Sequence, residues 1–431
     1  MNVLLLGAYG LVGTAVLRAL LRDGNRVTAL GRNLNAPRSQ WPEVTWTQGD
    51  LANLVTPEAW LPLLTDIEAV VNCAGALQDG PRDQVSAVQR DAPIALWTAC
   101  KRLGIRRIVQ VSALGADSSS EGTFLRTKFE ADEALRAQDC DWVILRPGLV
   151  LSSQAYGGTA LLRALASCPL VIPLAFPEAR LQTVHADDVA NAVTTALKDG
   201  VPLRQTYDLA EPEARTLAKV LTTMRRWQGF EAAPLASVHP VLCQPAIVLA
   251  DLLGRLGWRS PLRRTAWEQL RRGVTGNPLP WMIATGRPLR TLEESLRDIP
   301  STVQERWFAC LWLLKPAVLG GLAFFWLLSG LVALLNFDAA VAVLTARGAS
   351  TGLSGAVVGI GSLVDMALGA GLLVRCTAKW ALLGMATTGM AYLAGGTLLA
   401  PDLWADPLGP LVKVIPATLL ALVALPLLRE R

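Results

Sequence analysis

Histidine and closely spaced cysteines are nearly absent from this chain. Its 431 residues include two histidines, and the seven cysteines form no C-x-x-C pair and no Cys/His cluster. Because zinc ligands normally come in such clusters, we expect no metal site, and we expect free thiols in a reducing compartment. The net charge is +5, without a basic stripe interleaved with aromatic residues. We therefore expect no nucleic-acid partner.

Charge becomes scarce in the last third of the chain. Charged and apolar segments alternate up to about Pro300, but charged residues nearly vanish beyond Trp307. With 52% hydrophobic and 17% charged residues, the composition is apolar for a wholly soluble protein. The chain starts on a strand-like run at 2–6, without a charged n-region or a cleavage site. We therefore expect no secretory signal peptide.

Four long apolar segments fill this last third. They lie at 316–335, 354–374, 380–400 and 408–428. Each is long enough to cross about 30 Å of hydrocarbon as a helix. The pattern predicts an all-α four-helix transmembrane bundle. Buried helices of a soluble core are the alternative, which four consecutive segments so poor in charge disfavour.

Basic residues flank alternate ends of these segments. They are Arg306, Lys315, Arg375, Lys379, Arg429 and Arg431. The positive-inside rule then predicts a multi-pass protein of the inner (cytoplasmic) membrane, with the N-terminal half and the C-terminus in the cytoplasm. Asp365 lies in the middle of the second segment, where an ionisable group is costly. It has either a functional role or a packing role as a protonated or hydrogen-bonded side chain.

The first half of the chain has the pattern of an α/β fold. Strands are predicted at 2–6, 26–30, 44–47, 69–73, 107–112 and 142–146, with helices such as 11–22, 57–64, 84–103 and 125–138 between them. Apolar strands that alternate with helices predict a doubly wound parallel sheet, covered on both faces.

A glycine-rich turn joins the first strand to the first helix. Gly7, Gly10 and Gly13 form a G-x-x-G-x-x-G pattern. Glycine allows a positive φ and a close approach to a pyrophosphate, and the first N–H groups of the helix face the phosphates. The pattern predicts a dinucleotide-binding loop, the alternative being a close-packed turn that binds nothing. After the second strand, Arg32 replaces the acidic residue that binds an adenosine ribose, which favours NADP(H) and leaves NAD(H) possible.

Further motifs follow in a recognisable order over residues 1–230. They are Gly49-Asp50-Leu51, Asn72-Cys73-Ala74-Gly75, the strand end at 111–116, and Arg146-Pro147-Gly148. With the glycine loop, they resemble the extended and atypical short-chain dehydrogenase/reductase (SDR) superfamily. The chain resembles its NmrA-like branch and the nucleotide-binding accessory subunit of respiratory complex I.

The resemblance implies a Rossmann-type fold and a set of cofactor contacts. In such proteins the Asp that matches Asp50 contacts adenine, and the turn at Pro147 passes near the nicotinamide. The cofactor-binding residues that the resemblance implies are Gly7, Tyr9, Gly10, Leu11, Val12, Gly13, Arg32, Asp50, Leu51, Cys73, Ala74, Gly75, Lys128 and Pro147.

The catalytic signature of the superfamily is altered. Its members use Tyr-x-x-x-Lys, in which the Tyr transfers the carbonyl proton, but here the first position is Phe124 and the last is Lys128. Lys128 can still bind the nicotinamide ribose, whereas Phe124 has no hydroxyl. Ser112 is the remaining catalytic candidate beside Lys128, with Ser119 and Tyr156 as weaker alternatives.

The remaining parts of the chain are a connecting region and the membrane domain. The segment Trp404–Lys413 is similar to the DoxX-like membrane family, which is associated with membrane redox systems, some of them quinone-linked. We predict an SDR-like domain at 1–230, a linker at 231–305 and a DoxX-like domain at 306–431. The basic helix-like stretch 255–272 lies on an anionic membrane surface or is a solvated helix face.

Three functions are compatible with these features. The first is a membrane-bound NADPH oxidoreductase for a lipid-soluble substrate such as a quinone or an isoprenoid. Hydride transfer to a quinone does not require the Tyr, because water can protonate the oxygen later. The second is a non-catalytic NADPH-binding assembly or sensor module of a membrane redox complex. The third is a membrane interaction protein with a relic nucleotide site.

Overall fold

The computed structural model describes residues 1–76, 78–80, 84–120, 122–198 and 200–428. The chain forms two compact units. The first comprises Met1–Asp251 and Ser260–Ala309, and the second comprises Leu252–Arg259 and Cys310–Arg431. The predicted flanking residues Arg429 and Arg431 lie outside the described residues.

The strands of the described residues all belong to the first unit. They are β1 (Asn2–Leu6), β2 (Arg26–Gly31), β3 (Thr45–Gln48), β4 (Ala69–Asn72), β5 (Arg107–Val111), β6 (Asp141–Pro147), β7 (Leu149–Leu151), β8 (Ile172–Leu174), β9 (Arg180–Leu181), β10 (Thr183–His185), β11 (Gln205–Leu209), β12 (Arg215–Thr216) and β13 (Leu235–Ser237).

The helices of the described residues run through both units. They are α1 (Leu11–Arg22), α2 (Asn35–Gln40), α3 (Pro57–Trp60), α4 (Ala92–Leu103), α5 (Thr123–Arg136), α6 (Gly157–Ala166), α7 (Ala186–Leu197), α8 (Leu217–Trp227), α9 (Gln244–Arg255), α10 (Arg264–Arg272), α11 (Leu279–Thr285), α12 (Leu292–Asp298), α13 (Val303–Leu335), α14 (Phe337–Thr345), α15 (Thr351–Leu373), α16 (Ala378–Leu399) and α17 (Pro410–Leu427).

A seven-stranded parallel sheet is the centre of the first unit. Its strand order is β3-β2-β1-β4-β5-β6-β11, and every neighbouring pair is parallel. This is the doubly wound order, in which the direction of strand addition reverses between β1 and β4. Successive side chains of β1 enter opposite layers, with Val3 and Leu5 in one core and Leu4 and Leu6 in the other. Burial on both faces explains why β1 is apolar throughout instead of alternating.

The predicted α/β fold with a Rossmann-type sheet is confirmed, and most element bounds agree within two residues. Two predicted helices differ: 57–64 is α3 followed by a 3-10 turn at Leu61–Leu63, and 84–103 contains a π-helical turn at Ala87–Asp91 before α4. The sheet has a strand that was not predicted, β11. Its sequence Gln-Thr-Tyr-Asp-Leu is too polar to resemble the other buried strands.

The basic stretch 255–272 is not one helix. α9 ends at Arg255 and α10 begins at Arg264, because Gly257 and Pro261 between them oppose helix formation. The region after Ser260 folds with the first unit. Val274 forms a β-bridge with Leu181, and α12 contributes Leu292 to a core shared with α8.

The second unit is helical, as predicted. Four described helices, α13, α15, α16 and α17, are long and apolar enough to cross a membrane. The first of them begins at Val303, thirteen residues before the predicted start, and continues through Pro316 to Leu335. The short helix α14 was not predicted. Leu382, Met385 and Trp326 are buried in the core of this unit.

Candidate functional site

The glycine turn lies at the reversal point of the sheet, between the carboxyl ends of β1 and β4. Gly7 has a φ of +73°, and a Cβ on it would lie 2.8 Å from the Cys73 carbonyl oxygen. A Cβ on Gly13 would lie 1.9 Å from the Gly7 carbonyl oxygen. Both positions therefore require glycine, and the turn presses its backbone against the end of β4 as a dinucleotide-binding loop does.

Helix α1 presents an uncapped N-terminus to this crevice. Its N-cap is Gly10, which has an extended backbone and no side chain to accept from the first N–H groups. The N–H groups of Leu11, Val12 and Gly13 belong to the first helical turn, which has no partners within the helix. An anion such as a pyrophosphate satisfies these donors and the helix dipole, so the loop fits the phosphates of a dinucleotide.

Two further predicted contacts lie at the ends of β2 and β3. The Tyr9 hydroxyl accepts a hydrogen bond from the Arg32 backbone N–H at 3.2 Å, so Tyr9 reaches from the glycine loop to the end of β2. Asp50 follows β3 and accepts from the Ala52 N–H at 3.0 Å, which caps a 3-10 turn that begins at Leu51. A groove of about 590 Å³ extends from Ala52 along the start of α4.

The segment after β4 is held in shape by an amide network. Asn72 donates to Gln110 of β5 at 2.8 Å and accepts from the Ala74 N–H at 3.0 Å. Cys73 lies between them, and burial raises the pKa of its thiol to about 12. This thiol is therefore a neutral packing group, and the backbone at 73–75 is the surface that the segment offers to a cofactor.

Lys128 of α5 is buried at the strand ends. Its Nζ donates to the carbonyl oxygens of Ala74 and Val111, both at 3.0 Å, and it lies 3.5 Å from the position of a Cβ on Gly75. Burial lowers the pKa of Lys128, against the opposing charge of Asp132. The ammonium therefore joins the ends of β4 and β5, next to the predicted cofactor segment.

Ser112 is engaged in a buried polar cluster. Its hydroxyl donates to Asp132 Oδ2 at 2.7 Å, and Arg146 Nη2 lies 3.4 Å from the same oxygen. Burial raises the pKa of Asp132, while the hydrogen bond from Ser112 and the charge of Arg146 oppose this rise. The proton of Ser112 points to this carboxyl, so polarisation of a substrate carbonyl by Ser112 requires that the hydroxyl turn away from Asp132.

Phe124 lies on the same face of α5 as Lys128 and Asp132, because the three are spaced at four-residue intervals. It borders a cavity of about 320 Å³ between the start of α5 and α10. The lining residues are Gly122, Phe124, Leu125, Thr265, Glu268, Gln269, Arg271 and Arg272. An aromatic ring therefore occupies the position that the resemblance assigns to the proton donor, beside a partly open cavity whose lining includes Arg271 and Arg272.

The other candidates lie elsewhere in the first unit. Ser119 is exposed and bonds to Asp117 at 2.6 Å, and Tyr156 is the N-cap residue of α6. Pro147 is buried at the end of β6, and its carbonyl accepts from Leu114 at 3.2 Å. Asp132 is not among the residues predicted from the sequence, although its spacing of four residues from Lys128 on a helix is a usable signal. Nothing in the sequence pattern indicated that α10 covers the cavity.

A second polar cluster lies in the second unit, around Asp365. This buried carboxyl accepts from the Tyr392 hydroxyl at 2.7 Å and from the Ser329 hydroxyl at 3.1 Å. The three residues come from α13, α15 and α16, so the cluster ties three membrane-length helices together. The Trp326 ring stacks on Tyr392 at 6.5 Å between centroids.

Comparison with protein families agrees with both units. Residues 7–200 match a family described as NAD(P)H-binding, and residues 323–423 match the DoxX-like family. The chain thus joins an NAD(P)H-binding, atypical SDR-like domain to a DoxX-like domain, and it is membrane-associated.

Individual relatives cover the first part of the chain. It is 32% identical over 245 residues to NADH dehydrogenase [ubiquinone] 1 alpha subcomplex subunit 9 of Arabidopsis thaliana, covering 53% of this chain and 59% of that protein. It is 29% identical over 190 residues to the ceramide reductase of Caulobacter vibrioides, covering 44% and 58%. The chain thus spans about three fifths of the length of both relatives.

Among solved structures, the NADPH-dependent quinone oxidoreductase QOR2 of Escherichia coli, complexed with NADPH, has a TM-score of 0.53. It is 20% identical, and the match covers 69% of this chain and 99% of that one. At that identity the likeness establishes the fold.

Proposed function

We propose that this SDR-like and DoxX-like chain is a membrane-anchored NADPH oxidoreductase that passes a hydride to a lipid-soluble acceptor, with a quinone as the best candidate and an isoprenoid as the next. The observation that carries the proposal is Phe124 in the lining of a cavity, one helical turn from Lys128. Lys128, which the resemblance assigns to the nicotinamide ribose, is retained, and the tyrosine that donates a proton is missing.

The absence of a hydroxyl at position 124 favours a quinone over a simple ketone as the hydride acceptor. Hydride transfer to a simple ketone leaves an alkoxide, which is strongly basic and needs an acid in the site. Hydride transfer to a quinone leaves a delocalised hydroquinone anion, which water protonates after the transfer. The balanced reaction is NADPH + quinone + H⁺ → NADP⁺ + hydroquinone, in which C4 of the nicotinamide loses a hydrogen and two electrons. The ring of Phe124 offers a face on which a flat acceptor can stack.

The preference for NADP(H) rests on Arg32. This exposed residue follows β2, at the position where an acidic side chain selects NAD(H). A guanidinium there pairs with the 2′-phosphate of NADP(H). A carboxylate would instead bind the ribose hydroxyl, so the absence of Asp or Glu at 31–33 supports the same preference.

The proposed location is the inner (cytoplasmic) membrane, with the first unit in the cytoplasm. Arg375 lies in the turn between α15 and α16, and Lys379 lies in the first turn of α16. Positive residues favour the cytoplasmic side. The exposed Cys376 in that turn makes this testable. A membrane-impermeant maleimide should label it only after spheroplasts are opened, and labelling of intact spheroplasts would reverse the orientation.

A second candidate function is a non-catalytic, NADPH-binding assembly or accessory role in a membrane redox complex. It is favoured by the internal hydrogen bonds of Lys128 and Ser112, in which the donors of both side chains are directed at acceptors of the protein itself. The similarity to a protein named as a complex I subunit supports it as well.

Single-turnover kinetics separates the two functions. The full chain is placed in nanodiscs, loaded with NADPH, and mixed with a short-chain ubiquinone, a menaquinone or a keto lipid. We expect the quinones to oxidise NADPH at about 1 to 10³ per second and the keto lipid to be inert. NADPH that stays bound and reduced with every acceptor would reject the oxidoreductase in favour of the accessory role.

Restoring the hydroxyl supplies an internal control. Phe124→Tyr should create ketone reduction, because general acid catalysis contributes about 10² to 10⁴ in rate. Phe129→Tyr adds the same hydroxyl five residues after Phe124, on a different face of α5 from Phe124 and Lys128, and should create no ketone reduction. Equal ketone reduction in both variants would refute the assignment of the reaction to this face of α5.

A further inference from the structure

Helix α9 exposes an unusual surface. Val248, Leu249 and Leu252 are each more than half exposed, and Leu256 continues the same row. On the opposite side Ile247 and Ala250 are buried. The only polar residues among the exposed positions of α9 are Gln244 and Arg255, at its two ends. The helix is therefore buried on one side and has a solvent-exposed apolar face on the other.

Helix α10 shows what a solvated helix of this protein looks like. Its exposed positions carry Arg264, Glu268, Arg271 and Arg272, while the Trp267 ring packs on Phe176 at 4.8 Å between centroids. The exposure of Val248 and Leu249 instead matches that of Ile360 and Leu363 on the membrane-length helix α15. The exposed apolar face of α9 therefore has the composition of a lipid-facing surface.

The chain directly after α9 lies at the end of a membrane-length helix. Trp258 Nε1 donates to the carbonyl of Leu373, the last residue of α15, at 2.7 Å. The Arg375 N–H donates to the Leu256 carbonyl at 3.0 Å, and its guanidinium lies 5.5 Å from the centre of the Trp258 ring. Trp and Arg are among the residues that anchor membrane helices at the membrane–water boundary. Leu256 is therefore held at that boundary, one turn from Leu252.

We propose that α9 is an in-plane membrane anchor, whose row Val248, Leu249, Leu252 and Leu256 inserts into the headgroup–acyl boundary of the bilayer. The exposed Arg255 flanks this row and pairs with lipid phosphates. Helices with one apolar face and a basic flank bind bilayer surfaces in this way. This surface is separate from the four membrane-length helices and does not depend on the proposed oxidoreductase activity.

Photoreactive lipids test the proposal on the full chain. The protein is reconstituted in vesicles of phosphatidylcholine and phosphatidylglycerol that carry a diazirine near the top of one acyl chain. After photolysis and trypsin digestion, α9 lies in the peptide 227–255, which contains no internal Lys or Arg, and α10 lies in 265–271. We expect lipid adducts at Val248, Leu249 and Leu252, and none in 265–271.

A matched pair of variants controls for folding. Leu249→Glu with Leu252→Glu should remove the adducts from 227–255 and leave those on the α15 peptides. Leu170→Glu changes a leucine that is 84% exposed on another part of the chain, and it should leave every adduct in place. Absence of adducts in 227–255 of the unaltered chain, while α15 is labelled, would overturn the proposal. If the unaltered chain is then a dimer and Leu249→Glu dissociates it, the apolar face of α9 would be an interface with a second copy of this chain.

Discussion

Each unit buries an ionisable side chain that forms no ion pair with another described residue, and the two are satisfied in opposite ways. Lys128 in the first unit donates to two backbone carbonyls. Asp365 in the second unit accepts from two side-chain hydroxyls. The ends of parallel strands leave backbone groups free to bind a side chain, whereas membrane-length helices use their backbone groups internally. A helical bundle therefore has to satisfy a buried charge with side chains.

This contrast predicts that replacement of Lys128 lowers the free energy of unfolding more than replacement of Asp365. Lys128→Met leaves the carbonyls of Ala74 and Val111 without a donor, and these carbonyls are fixed by the strand ends. We expect a loss of about 2 to 4 kcal/mol in the free energy of unfolding, since each buried unsatisfied group costs about 1 to 3 kcal/mol. Denaturant unfolding of the full chain in detergent measures it. Lys101→Met, at an exposed position on α4, is the control. An equal loss of unfolding free energy in that variant would contradict the stabilising role of the Lys128 hydrogen bonds.

Replacement of the exposed Arg32 should change the affinity for NADPH and leave the stability of the protein unchanged. Arg32→Ala should weaken NADPH binding by about 10- to 100-fold, the value of a charge-assisted hydrogen bond of about 1.5 to 3 kcal/mol. NADH binding should change little, because NADH has no 2′-phosphate. Titration calorimetry with both cofactors measures the ratio of the NADPH and NADH dissociation constants. Arg26→Ala at the other end of β2 is the control. Equal weakening of both cofactors would reject the NADP preference.

Replacement of Asp365 should cost less stability than replacement of Lys128, because the hydroxyl groups that donate to Asp365 can rotate to other acceptors. The Tyr392 hydroxyl lies 3.3 Å from the Gly361 carbonyl and can donate there instead. We expect Asp365→Asn to lower stability by about 1 kcal/mol or less, with a coupling to Tyr392→Phe of about 0.6 kcal/mol, the average for hydrogen bonds between membrane helices. A double-mutant cycle by thermal unfolding in detergent measures it. Loss of NADPH oxidation in Asp365→Asn with unchanged stability would give this residue a functional role.

The smallest expected effect is a pH dependence at the start of α7. His185 Nδ1 accepts from the Asp187 N–H at 3.1 Å, and burial together with Arg290 lowers the His185 pKa from its usual 6.5. The native state therefore binds this proton less readily than the unfolded state. Its stabilising effect is complete above about pH 6.5 and is lost as the pH falls toward the lowered native pKa.

Replacement of the imidazole isolates this contribution. His185→Asn keeps a cap acceptor without a titrating ring, so it should flatten the fall in unfolding free energy between about pH 7 and 5. His239→Asn removes an exposed imidazole that also caps a helical turn and should not flatten it. A similar slope in the unaltered chain and in His185→Asn would contradict the prediction.

Local patterns were enough to predict much of the cofactor loop. The glycines of the turn, the apolar run of β1 and the following helix are all short-range signals, and the structure places them at the reversal point of the sheet. The stretch 255–272 shows where such signals fail. Its arginines suggested one helix, either on a membrane surface or with a solvated face, but the helix is interrupted at 256–263, and the apolar row that remains exposed belongs to α9. Periodicity shows that a face is apolar, but it cannot show which face the rest of the protein covers.

The sequence by itself determined the two-part architecture, the nucleotide loop, four membrane-length segments and the absence of the tyrosine at Phe124. These features depend on residue type and on spacing along one element, so they can be read locally. The tertiary structure alone decided that Asp132 pairs with Ser112 and Arg146, that α10 borders the cavity beside Phe124, and that Tyr392 and Ser329 meet Asp365. Each of these contacts joins residues on different elements, and their distances depend on how the helices and the sheet pack.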